Sequence, residues 1–258
     1  MYHDVAPRPP EPTGGPARFT VSTESFALML DTISAMELRG TSLAEARRDP
    51  SGASVAVTFD DGTTGQFDHA VPELRRRSMT ATFFIVTDWV GRPGFMTWDQ
   101  LRALRDMGMS VQSHTRSHPH LSTLGERELR AELEDSRLAL DDALDQTTTE
   151  LALPGGNAPR PGLRALLGEC GYTAVATSRW GSNATDGRAS RSGHRWIRRC
   201  NVPRELDRRL ARRILEGDTR LLVSRYPREA LLNGVRSVLG ADRYARWRRR
   251  VLDTLAHP

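Results

Sequence analysis

Two adjacent carboxylates and two imidazoles are the residues of this chain best placed to do chemistry together. Asp60 and Asp61 close the segment Thr58-Phe59-Asp60-Asp61-Gly62, and His114 and His118 stand at i and i+4 in His114-Thr115-Arg116-Ser117-His118-Pro119. One carboxylate and two histidines suit a divalent ion, and a spare carboxylate beside them can take a proton, so the set reads as apparatus for activating water. The two imidazoles share a face if their segment turns helically. Gly62 lets the backbone bend away directly after the pair.

Such groups need a scaffold that brings residues 60 and 114 to one place. Strands of buried type are predicted over Ser54 to Phe59 and Ala81 to Val86, and further strands over Met109 to Ser113, Leu151 to Leu153, Thr173 to Ala176 and Trp196 to Cys200. Between them lie predicted helices: one carrying Phe26, Met29, Leu30 and Ile33, one from Asp68 to Arg77, and one to Met107 opened by a capping box in Thr97 and Gln100. A longer helix, Glu126 to Leu144, follows a box in Thr123 and Glu126, with Leu129, Leu133, Leu140 and Leu144 as its apolar stripe and a charged outer face. Shorter helices are expected near Gly162 to Cys170 and Asp207 to Leu215, and the stretch Pro7 to Pro16 reads as an exposed loop. Strands alternating with helices argue for parallel pairing, and in such folds functional groups gather where strands end, as both motifs do here.

The chain has 258 residues, enough for one large α/β domain, with 38% hydrophobic and 27% charged residues and no run long enough for a membrane helix. Its net charge is +5, yet all 37 basic residues are Arg. A coding bias explains the missing Lys more simply than a binding surface does, so nucleic acid is not an expected partner. From Pro227 onward the sequence reads as amphipathic helix, with Trp247 and Val251 set against Arg248, Arg249 and Arg250. Packing of that helix on the main domain, its arginines solvated, is favoured over contact with a membrane surface. Cys170 and Cys200 are read as buried thiols. The opening Met1-Tyr2-His3-Asp4-Val5 lacks the basic and apolar regions of a secretory signal, so the cytoplasm is the expected location.

The two motifs, in this order, resemble those of the polysaccharide deacetylase family, carbohydrate esterase family 4, whose hallmarks are TFDDG and H-[ST]-x-x-H-P. The resemblance runs from Tyr2-His3 to about Val202. It implies a distorted (β/α) barrel of about seven parallel strands with a metal site at its C-terminal rim, expected over residues 1–226 and followed by the helical extension 227–258. It also implies one divalent ion, zinc in the first instance, and hydrolysis of an N-acetyl group on a sugar or polysaccharide. By that correspondence Asp60 is the catalytic base, and Asp61, His114 and His118 are the metal ligands. Two other readings stay open: a deacylase of a small N-acyl or O-acetyl glycoside, and a catalytically silent carbohydrate-binding relative.

Downstream the pattern departs from the family. Its third motif is R-x-P-[YF]-G, and here Ala152 stands in the Arg position of Leu151-Ala152-Leu153-Pro154-Gly155-Gly156-Asn157. Asp60 is therefore expected to lack a cationic neighbour and to have a raised pKa. The Gly155 N–H is expected to meet the oxyanion, and Trp180, resembling the fourth-motif tryptophan, to wall the acetyl pocket. The fifth motif's proton-donating His is absent from Ile197-Arg198-Arg199-Cys200-Asn201-Val202, and Arg199, placed with the substrate and oxyanion groups, cannot serve as an acid. Asp60 or His194 is left to protonate the leaving amine. His3 lies in a segment resembling the opening strand of some subgroups and is a candidate for the pocket lining, whereas His69 and His120 are assigned to the surface.

Overall fold

Short apolar runs become strands here because helices cover them on the outside and their own side chains fill the inside. The computed structural model describes residues 1–11, 19–156, 158–181, 183, 194–218 and 220–221. Two parallel pairs come first, β1 (Asp4–Ala6) with β2 (Thr20–Ser22) and β3 (Arg39–Thr41) with β4 (Ser54–Ala56). The main sheet holds β5 (Thr58–Phe59), β6 (Thr82–Ile85), β7 (Ser110–Ser113), β8 (Glu150–Ala152), β9 (Ala174–Ala176) and β10 (Arg195–Ile197). All its pairings are parallel, in the order β10-β9-β8-β7-β6-β5. Among the described residues, six strands form the curled half-barrel, one fewer than the expected seven. The run from Ser54 to Phe59 divides at Val57, where the chain changes partners: Val57 N donates to Thr41 O (3.0 Å), and Val57 O accepts from Thr82 N (2.9 Å). Only the first part of Trp196 to Cys200 pairs as a strand.

The helices are α1 (Thr23–Ala35), α2 (Leu43–Arg48), α3 (Val71–Arg76), α4 (Trp98–Asp106), α5 (Glu126–Leu144), α6 (Ala165–Glu169) and α7 (Arg208–Leu215). In α4 the expected capping box is present, Thr97 and Gln100 each bonding the other's backbone N–H. The start of α5 differs: Thr123 closes a 3₁₀ turn by donating to His120 O (2.8 Å), and Glu128 accepts from Gly125 N (2.9 Å). Gly125 therefore opens the helix. Leu129, Leu133, Leu140 and Leu144 are fully buried, as their spacing predicts.

On the outer side an aromatic group joins helix to sheet, with Phe59 stacked on Phe83 at 4.8 Å and Phe26 edge-on to Phe59 at 5.6 Å. Such pairs add to the area they bury. A separate cluster of Leu43, Phe84, Ala152, Ala174, Ala176 and Ile197 sets three alanines among three larger side chains. Helix α2 lies against the N-terminal ends of the strands, where Leu43 N donates to Thr82 Oγ1 (2.9 Å) and Arg47 pairs with Glu150 (3.3 Å). Contacts divide the chain into two compact units, Met1–Leu215 and Glu216–Pro258. The expected extension 227–258 and most of the loop Pro7 to Pro16 lie outside the described residues. No helix among the described residues is long and apolar enough to cross a membrane.

Glu150 is 1% exposed, and burial, only partly opposed by Arg47, pushes its carboxyl up to about 6 from an ordinary 4.5. The fold holds this proton more tightly than the unfolded chain does, so the group's contribution is complete below about pH 4.5 and is lost as pH rises through about 6. Glu150→Gln is therefore expected to gain on the wild type by about 2 kcal/mol, several degrees in Tm, between pH 4.5 and 7. Thermal denaturation of both proteins across that range checks this; a difference that does not change with pH would contradict it.

Candidate functional site

The residues singled out by type converge at one rim because each follows the C-terminal end of a parallel strand. Asp60 and Asp61 follow β5, His114 follows β7, Gly155 follows β8, Trp180 follows β9 and Arg199 follows β10. The turn after β5 is tight, with Asp61 at φ 78° and Gly62 at φ 82°. A Cβ on Gly62 would also come within 3.0 Å of Ile85 Cδ1, so the position favours glycine twice over.

Asp61, His114 and His118 each offer one ligand atom, all within 4.8 Å of one another. His114 Nε2 lies 3.4 Å and His118 Nε2 3.6 Å from Asp61 Oδ1. The ring of His114 is oriented from behind by Nδ1, which is 2.9 Å from Ala152 O and donates to it. That bond leaves Nε2 as the lone-pair nitrogen facing Asp61, the arrangement in which an imidazole binds metal. Asp61 Oδ1 is buried without a hydrogen bond. A buried carboxylate oxygen with no donor, flanked by two imidazole nitrogens, fits a divalent ion of the zinc type. Burial and His114 depress the pKa of His118, whereas at His114 the same burial is outweighed by Asp60 and Asp61, which raise it.

Asp60 departs from expectation. Instead of standing without a cation, it forms a two-pronged ion pair with Arg199, Nη1 to Oδ1 at 2.6 Å and Nη2 to Oδ2 at 2.7 Å. The guanidinium is fixed further by Nε donating to Thr177 O (3.1 Å) and by the Phe84 ring 5.3 Å beneath it. Burial pushes the Asp60 carboxyl up, but Arg199 and the nearby His114 outweigh it, so its pKa lies well below the usual carboxylate range. The inferred raised pKa is thus overturned, and Arg199 is paired with Asp60 rather than standing with the groups expected to meet the oxyanion. Ala152, in the motif position of the missing Arg, serves the site through its carbonyl.

His3 lies close enough to Asp60, Asp61 and His114 to feel their charges; burial outweighs the two carboxylates and lowers its pKa. Its ring stacks on Phe19 at 4.7 Å. Gly155 turns at φ 56° and is exposed at the rim, and Trp180 is half-buried there. His194 precedes β10, at the opposite end of the sheet from Asp60, which removes it as a proton donor. His120 is exposed and His69 half-buried. Two supporting residues escaped the sequence reading. Gln66 donates to His3 O (2.7 Å) and to Asp60 O, and nothing in its neighbours signals this. Glu132 accepts from the loop before His118, and its place within the apolar stripe of α5 was a legible sign of a buried role.

A family model described as polysaccharide deacetylase matches residues 47–175, the stretch that carries most of the parallel half-barrel and the Asp60, Asp61, His114 and His118 cluster. The chain belongs to the polysaccharide deacetylase family. Among similar proteins, Bacillus subtilis YxkH is 31% identical over 139 residues, 54% of this chain and 50% of that one. Chitin deacetylase 1 of Cryptococcus neoformans is 27% identical over 130 residues, 50% of this chain and 26% of that one. The chain thus spans half or less of these relatives. In fold it resembles the Streptococcus pyogenes deacetylase PplD, with a TM-score of 0.74 and 24% identity over 83% of this chain and 96% of that one.

Removing the Arg199 side chain strands a buried charge, which typically costs about 3–5 kcal/mol. Because the folded-state pKa of Asp60 is depressed, the pair's contribution is present above the ordinary value of 3.8 and lost as pH falls below it. Arg199→Met is expected to lower stability by that amount at pH 7. The deficit should shrink toward pH 4 as the unpaired carboxyl takes up a proton. Urea denaturation at both pH values measures it, and a deficit that is equal at both would contradict the pairing.

Proposed function

We propose that this protein is a metal-dependent hydrolase that removes N-acetyl groups from an N-acetylated sugar or polysaccharide. The observation that carries the reading is the juxtaposition of an ionised, oriented carboxylate, Asp60, with the convergent donors of Asp61, His114 and His118. Zinc is the ion that two imidazoles and one carboxylate suit best. When bound, such an ion supplies Lewis acidity, polarising the acetyl carbonyl and making a water acidic.

The chain's own residues then divide the work. Asp60 accepts the proton of the attacking water, and Arg199 holds the two carboxylate oxygens so that this acceptor is fixed before substrate arrives. A carboxyl whose pKa is held low gives up its proton readily, so the protonated Asp60 is also a competent donor to the leaving amine. That dual use answers the missing fifth-motif histidine. Gly155 N–H, at the tip of the turn after β8, is the backbone donor assigned to the developing oxyanion. Trp180 and His3 are assigned to the pocket wall. Trp89, 5.1 Å from the His118 ring and 5.0 Å from Phe95, extends an aromatic surface beside the ligands.

Purified protein is expected to carry about one equivalent of zinc or a similar ion, with Asp61→Ala and His114→Ala losing it. Asp60→Asn is expected to keep the ion while turnover falls by about 10²–10⁴. Elemental analysis and acetate release from chito-oligosaccharides, peptidoglycan fragments, acetylxylan and small N-acetylated glycosides test both parts. Retention of the ion by His114→Ala would sink the ligand assignment, and release from none of the acetylated sugars would sink the substrate class.

A further inference from the structure

The loop that carries His118 is held in a shape its own residues do not favour. Thr115 and His118 both adopt positive φ, 70° and 64°, in a region that residues other than glycine seldom occupy. Such a loop keeps its shape only when its surroundings fix it. On one side Asp88 N donates to Arg116 O (2.9 Å) and Thr87 N to Thr115 O (3.3 Å). Within the loop His118 N donates to Thr115 Oγ1 (3.1 Å), and Thr115 N donates to Ser113 Oγ (3.1 Å). The remaining side is closed by α5.

There Glu132, 5% exposed, presents its carboxylate to successive backbone donors: Oε2 accepts from Arg116 N at 3.0 Å and from Ser117 N at 2.9 Å. Oε1 accepts from Ser117 Oγ at 2.7 Å. One turn further along the helix, the buried Ser136 Oγ lies 2.9 Å from Ser113 Oγ, so the same helix face grips the loop on both sides of His114. The Arg116 guanidinium approaches Glu132 at 3.7 Å and bonds Asp135 at 2.9 Å at the solvent edge. A carboxylate in an apolar stripe is unfavourable unless its oxygens are fully used, and here they are used on the backbone between the two imidazole ligands.

We propose that Glu132 is a positioning residue of the metal centre: by clamping the Arg116 and Ser117 amides it fixes His118 Nε2 relative to Asp61 and His114, and so sets metal affinity. This rests on the Asp61, His114 and His118 ligand reading above. Outer groups that orient a ligand typically contribute 10–100-fold to metal affinity. Cobalt(II) added to metal-free protein reads this directly, through the dissociation constant and the visible absorption that reports ligand geometry. Glu132→Ala is expected to bind cobalt about 10–100-fold more weakly with an altered spectrum. Glu132→Gln, which keeps the shape and one acceptor oxygen, should fall between it and the wild type. Glu134→Gln, whose residue pairs with Arg130 on the outer side of the same helix, should bind as the wild type does.

If Glu132→Ala fails to fold, the glutamine variant decides the matter alone. A folded variant with reduced thermal stability but wild-type affinity and spectrum would reduce Glu132 to a structural role and overturn the proposal. A wild type that binds no cobalt would overturn the ligand reading itself, and the clamp with it.

Discussion

The buried pairing of Asp60 with Arg199 is the contact on which the arrangement of this molecule turns. Asp60 follows β5 and Arg199 follows β10, the two outermost strands of the sheet. A two-pronged bond between them fixes both edges of the curl to each other. The N-terminal segment fills the same gap: Tyr2 bridges Phe59 in parallel, and Val202 N donates to Met1 O at 3.1 Å. A buried ion pair of this kind adds little net stability, because desolvation offsets the attraction; what it supplies is geometry, since a planar guanidinium bonded twice to one carboxylate admits few relative orientations.

The interior is arranged to allow that bond. Ala152, Ala174 and Ala176 keep the space beneath the rim small-sided, and Phe84 offers its face to the guanidinium. At the other end of the strands the same space is closed by α2 and by the less well matched pair of Arg47 and Glu150. The contrast between the two ion pairs is physical. Asp60 accepts two short bonds and is held ionised, whereas Glu150 has a buried oxygen without a partner and is pushed toward its neutral form. Both carboxylates are buried, and the number of donors each one meets decides which way its pKa moves.

Much of this was legible in order along the chain. The apolar run at residues 82–85 and the leucine stripe of α5 announce themselves because burial on both faces, or on one stripe, imposes a composition. Where local signals compete, the chain alone does not decide between them. Thr123 has the chemistry of a helix cap but spends its hydroxyl on the preceding turn. The strand from Ser54 divides at Val57 because its neighbours change there, and neighbours are not written in the strand itself.

The sequence by itself picked out the proposed ligand set and base, because Asp60 with Asp61 and His114 with His118 are each close in the chain and each pair begins where a predicted strand ends. It determined the parallel α/β class for a similar reason, since periodicity and strand–helix alternation are local. Only the tertiary structure decided what stands beside Asp60. Ala152 marks the loss of a cation in the expected place, and Arg199, 139 residues beyond Asp60, restores one from another strand. The two positions meet only because the sheet curls until its first and last strands approach, and that closure is a property of the whole fold that no stretch of sequence carries.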